Sequence, residues 1–232
     1  MFLAAAFVAL ASVSCNKTGN SEYWTNGEFV TVEGLAGSTT FRTDAGDYLA
    51  LYDSKVQISS SINVGDRLLI LYSKADTQQS YATPYITLWG YVPFEYAATA
   101  IVQGDTSDYG TLPLSVYDNY VYPYSVIHVT KDVFDASLIF YGKSSNYLSH
   151  TFTVVLDEDE PTVATNKGKY LKLRICHQTT AAEADIKDTT VVGYYSFDLS
   201  QFAAYMDDTL GVQFVMNTGE NDITREYPWP TI

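Results

Sequence analysis

The side chains with enough chemistry to carry a reaction or hold a metal are few in this 232-residue sequence: three histidines, two cysteines and one run of four carboxylates. The carboxylates are Asp157, Glu158, Asp159 and Glu160, directly before Pro161. Calcium, a hard cation that wants several oxygens, suits such a run. The carboxylates sit between a strand and a proline, however, where a solvated turn is the ordinary explanation. Asp105 and Asp108 lie close together, but their segment lacks EF-hand spacing. His128, His150 and His177 fall in separate segments with no acidic or cysteine ligand at zinc spacing. Along an alternating strand Tyr170–His177, Cys176 and His177 project to opposite faces, which excludes a thiol–imidazole dyad if the strand is regular. No serine elbow, phosphate loop or dinucleotide fingerprint occurs. The residues therefore predict no enzyme and no cofactor. One further group can act by contact: Tyr120, Tyr122 and Tyr124 share one face of an expected strand, with Tyr117 nearby. Exposed, such a stripe stacks on sugar rings or anchors a peptide or protein; turned inward, it covers a core.

Cys15 has a different chemistry. It follows an almost unbroken apolar run, Phe2–Val13, and the small residues Ala11, Ser12 and Ser14. The run is about as long as a signal-peptide core and too short to span a bilayer. This order resembles the lipobox of bacterial lipoproteins, although no Lys or Arg precedes the apolar run. The resemblance implies a signal peptide over residues 1–14 and an acyl chain such as palmitate on Cys15, holding the protein in the cell envelope, at the outer rather than the inner membrane. Residues 15–27 are small and polar, a tether of the kind that keeps a fold clear of a membrane. With Cys15 acylated, Cys176 has no disulfide partner. Two tripeptides, Asp188-Thr189-Thr190 and Asp208-Thr209-Leu210, resemble an O-glycosylation acceptor motif of exported bacterial proteins, which requires Thr189 and Thr209 to be exposed.

The elements that must position these residues are strands. Twenty Tyr and 11 Phe stand against 17% charged residues, and aromatic side chains favour strands. The net charge of −14 argues against nucleic acid and against anionic headgroups. Membrane contact would thus come from the lipid alone, and the remaining partners are an envelope protein or a glycan.

From Glu28 to Gln103 the sequence predicts short strands: Phe29–Val32, Thr39–Thr43, Tyr48–Tyr52, Val56–Ile62, Arg67–Tyr72, then Tyr85–Phe94 and Tyr96–Val102 split by Pro93. That number of strands in so short a stretch suits a small closed barrel, residues 28–103. Gly104–Gly110 gathers turn formers and reads as the linker. Beyond it, residues 104–232, about seven strands favour an antiparallel β-sandwich. Pro113–Tyr117 and Tyr120–Val129 form a hairpin around Asp118-Asn119. Ser137–Tyr141, Ser149–Leu156, Tyr170–His177, Val191–Phe197 and Gly211–Met216 follow, with one or two helical turns over Ser200–Tyr205. In Tyr170–His177, Leu171, Leu173 and Ile175 face a core while Lys172 and Arg174 face water.

The lipobox, the strand Val64–Tyr72 with its Gly-Asp-Arg start, and a second β domain containing Tyr170–His177 together resemble the NigD-like lipoproteins. That resemblance implies an all-β protein, an OB-type barrel followed by a β-sandwich, with no established enzymatic activity. The expected role is structural or protein-binding; a carbohydrate- or peptide-binding surface on the tyrosine-rich face is the alternative.

Overall fold

The computed structural model describes residues 26–35, 39–75, 83–117, 120–121 (backbone only), 124–142, 149–180 and 189–230. Cys15, Tyr122 and the signal-like segment lie outside them. The protein is all-β, and the chain divides into two compact units between Glu95 and Tyr96.

The first unit is built from β1 (Asn26–Gly34), β2 (Thr40–Thr43), β3 (Tyr48–Ser54), β4 (Arg67–Lys74) and the first part of β5 (Tyr85–Val102). β1 pairs antiparallel with β2 and β4, β2 with β3, and β4 with β5, while β3 runs parallel to β5. The order returns on itself as a five-stranded, partly open ring of the OB type. It is partial where β3 meets β5, a short ladder bulged between Leu51 and Asp53. Val30, Val32, Phe41, Leu68, Ile70, Ile86 and Leu88 fill its interior.

The Gly-Asp-Arg start behaves as its sequence dictates. Gly65 takes φ +95°, the left-handed conformation a turn needs. Asp66 closes that turn by accepting the Asn63 N–H at 2.8 Å. Arg67–Leu71 are then buried in succession. Val56–Ile62, expected as a strand, is irregular: the hydroxyls of Ser54 and Ser59 bond nearby backbone and compete with a ladder. Pro93 does not split β5; it sits in the ladder opposite Leu68.

The second unit has two layers. One follows the order β16 (Asp222–Pro228), β15 (Gly211–Asn217), β13 (Gly168–Thr179), β11 (His150–Asp157) and the end of β5, with β12 (Thr162–Thr165) on β13. The other joins β14 (Thr189–Asp198) to β10 (Val133–Gly142), with β6 (Leu114–Val116) and β9 (His128–Val129) also on β10, and β14 also pairs with β5. Phe134, Leu138, Phe152, Leu173, Phe197 and Phe214 belong to the core of this unit.

The pairing is mixed rather than antiparallel throughout: β11 runs parallel to β5, and β13 to β15. Asp118-Asn119, the expected hairpin turn, lies outside the described residues; before it, β6 pairs with β10. Tyr120–Val129 is not one strand. It comprises β7 (Tyr120–Val121), β8 (Tyr124–Ser125) and β9, with β7 and β8 paired to each other. Pro123, which has no amide hydrogen, falls between them in sequence. Ser200–Tyr205 is a 3-10 helix; Asp198 accepts the Ser200 N–H at 2.9 Å just before it.

Candidate functional site

The ladder between β11 and β13 brings together two histidines that their sequence positions keep apart. Phe152 pairs with His177 and His150 with Thr179, so the imidazoles meet on the core face. His177 is 1% exposed, and His150 is buried beside it. Their rings lie 5.1 Å apart, and the Phe152 ring stacks on His177 at 4.7 Å.

A backbone segment completes the arrangement. Gly110 takes φ +102°, and a Cβ there would stand 2.3 Å from the His177 carbonyl oxygen. Only glycine lets the chain lie this close to β13. From there the Leu112 N–H reaches the His177 carbonyl at 3.0 Å, and the Pro113 carbonyl lies 3.1 Å from His177 Nδ1.

The hydrogen-bond order follows from chemistry. A carbonyl only accepts, so His177 Nδ1 carries the hydrogen and its Nε2 is the acceptor. His150 Nδ1 then donates to His177 Nε2, at 2.9 Å. His150 Nε2 is left as a bare lone pair, buried and without a hydrogen-bond partner. It abuts Gly142, where a Cβ would come within 2.7 Å. Burial drives the His177 pKa down to about 4, with the Pro113 bond opposing, and burial lowers that of His150 as well. Both imidazoles are therefore neutral at pH 7. Among the described residues no carboxylate, thiol or hydroxyl completes a nucleophile–base relay with them. Cys176 points to the other face, its Sγ 3.8 Å from the Thr106 carbonyl oxygen, and burial raises its pKa to about 11, the state of an inert thiol.

The four carboxylates do not converge. Asp157 Oδ1 accepts the backbone N–H groups of Gly104 and Asp159 at 2.9 and 3.0 Å. Glu158 accepts from the Tyr205 hydroxyl and from Gln103. Glu160 turns to Lys172 Nζ at 2.6 Å. Among the described residues no group of three or more His, Cys, Asp or Glu is placed to hold a metal ion. A depression of about 230 Å³ is lined by Asp105, Ser107, Thr111, Arg174, Asn217 and Asp222. Its polar groups bond one another: Arg174 with Asp222 at 2.5 Å, Asn217 with the Thr111 carbonyl, and Ser107 with Asp105.

The remaining expectations divide. Tyr120 and Tyr124 stand on facing strands, Tyr120 opposite Ser125 and Val121 opposite Tyr124, so a stripe along one strand is not formed. The Tyr124 side chain is half-buried. Thr189 is exposed at the start of β14. Thr209 is not: its hydroxyl is buried, donates to the Met206 carbonyl at 2.7 Å and accepts the Trp229 indole N–H at 3.0 Å. That corrects the expectation of a glycosylation acceptor at Thr209.

Neither a protein-family model nor any curated protein matches the sequence. Solved structures do match. A protein of unknown function from Bacteroides vulgatus is 17% identical, with a TM-score of 0.64 over 89% of this chain and 91% of its own. A candidate lipoprotein from Bacteroides fragilis is 18% identical, with a TM-score of 0.63 over 89% and 98%. A NigD-like immunity protein from Bacteroides caccae is 17% identical, with a TM-score of 0.53 over 90% and 99%. At these identities the likeness is one of fold: the chain folds as NigD-like proteins do, as the resemblance carried by Val64–Tyr72 and Tyr170–His177 implies.

Proposed function

We propose that this is an outer-membrane envelope protein held by a lipid on Cys15, which works by binding a partner and not by catalysis. The observation that carries the second half is the state of its reactive side chains. The buried histidines are neutral and bonded to each other and to backbone. Three of the four carboxylates in the acidic run are engaged, by turn amides, Tyr205 and Lys172. The first half is supported by the small residues before Cys15 and by the fold shared with a candidate lipoprotein. The Bacteroides caccae neighbour is described as an immunity protein, a description that names no reaction.

Metabolic labelling with an alkyne analogue of palmitate tests the anchor. Wild-type protein is expected to carry the label in the membrane fraction, and Cys15→Ala to lose it. Unlabelled wild-type protein recovered free in the periplasm would overturn the reading.

A further inference from the structure

A cluster of exposed aromatic residues lies in the first unit. β3 alternates, sending Leu49 inward and Tyr48 and Tyr52 outward, and Ala50 between them pairs with Tyr85 of β5. Tyr85 itself alternates with the fully buried Ile86. The three rings are 44%, 60% and 39% exposed, and Tyr52 meets Tyr85 edge-to-face at 6.3 Å. Tyr48 and Tyr52 thus flank Ala50 along the strand, and Tyr85 lies beside it across the ladder. From Tyr48 to Tyr52 the strand runs roughly 13 Å. That is the reach of a short linear chain of rings rather than of a single small molecule.

Charge complementarity decides what such a platform takes. Arg42, opposite Tyr48 in the ladder, pairs with Glu33 at 2.5 Å. Asp53, next to Tyr52, pairs with Lys55 at 2.6 Å. The two pairs offer donors and acceptors with no net charge of their own, and Asp47 beside Tyr48 adds one carboxylate. A phosphorylated or nucleic-acid ligand would need a surplus of cations, and a basic peptide a surplus of carboxylates. A neutral polyol needs neither: its C–H faces lie on aromatic rings while its hydroxyls bond polar groups at the rim.

We propose that Tyr48, Tyr52 and Tyr85 around Ala50, flanked by the Arg42–Glu33 and Asp53–Lys55 pairs, form a binding platform for a neutral oligosaccharide. The proposal deepens the binding reading above and rests on its non-catalytic part, while being independent of the anchor.

The test is calorimetric titration of the purified full chain with maltohexaose, cellohexaose and β-1,4-mannohexaose, with chromatography of the sugar afterwards. At least one is expected to bind. Tyr52→Ala, at an exposed position and so expected to leave the melting temperature unchanged, should weaken binding tenfold or more. Tyr141→Ala, an exposed tyrosine of the second unit, is expected to leave it unchanged. No binding by any of the three sugars overturns the platform, as does equal binding by the Tyr48→Ala/Tyr52→Ala/Tyr85→Ala variant. Tighter binding of a sulfated oligosaccharide, or of a decapeptide at the same tyrosines, overturns the neutral-glycan assignment. Bound sugar that emerges shortened leaves the platform standing and overturns the non-catalytic reading instead.

Discussion

The two units bury polarity in opposite ways. The barrel buries a permanent charge: Arg67, with a side chain 3% exposed, reaches Asp44 through two parallel bonds of 2.6 and 2.7 Å. The sandwich buries two titratable rings and keeps them uncharged by burial and by a chain of bonds that ends on the Pro113 carbonyl. A guanidinium stays charged at every working pH, so the barrel's device depends on its partner being present. An imidazole changes charge near neutrality, so the sandwich's device depends on the solvent.

Removing the partner is expected to have the largest effect. Asp44→Ala withdraws the bidentate carboxylate from a buried guanidinium and should cost about 3 kcal/mol in denaturant unfolding of the barrel. Adding Arg67→Met should restore most of it, because the buried charge is gone. A double variant as unstable as the single one would show that the pair matters for packing and not for charge.

Acid is expected to act on the other unit. In the unfolded chain His177 titrates near 6.5 and in the fold at about 4, so the unfolded state binds more protons between these values. Stability is complete above pH 6.5 and falls as pH drops towards 4, by about 3 kcal/mol from this residue. His177→Phe should lower stability at pH 7, by about 1–3 kcal/mol, since it deprives the Pro113 carbonyl and His150 Nδ1 of their bonds. It should also flatten the pH slope over that window. A slope as steep as wild type would place the acid sensitivity elsewhere.

The smallest effect separates buried from exposed charge within the barrel. Glu33→Gln breaks the Arg42 pair, whose side chains are both well exposed, and should cost about 0.5 kcal/mol or less. A loss comparable to that of Asp44→Ala would erase the distinction between the two ion pairs.

How much of this was legible depended on whether a feature is local. Arg67–Tyr72 and Tyr170–His177 were readable because composition and alternation lie within the strand itself, and both are observed, as β4 and β13. Ser200–Tyr205 was readable as a helical turn for the same reason. Strand direction is not local. Nothing in β11 or β13 states that their neighbours β5 and β15 run parallel to them, and an antiparallel sandwich was the simpler reading. The histidine pair was equally hidden. His150 and His177 meet only through the register that sets Phe152 opposite His177, which neither sequence segment encodes alone. The single strand expected over Tyr120–Val129 is not observed, because period-2 alternation was extended through Pro123, which has no amide hydrogen. Tyr48, Tyr52 and Tyr85 were passed over because their proximity needs the β3–β5 pairing.

The continuity of β5 bears on the order in which the molecule can be made. Residues up to Phe94 complete the ladders with β3 and β4, so a chain emerging amino end first holds everything needed to close its barrel before the rest appears. The remainder of the same strand, Ala98–Val102, then waits for β11, its parallel partner, with its edge open. Unpaired edges and parallel pairings are where nascent chains are slow and prone to join the wrong neighbour. Until β11 has emerged, this strand is therefore an open edge at which the growing chain can pair wrongly.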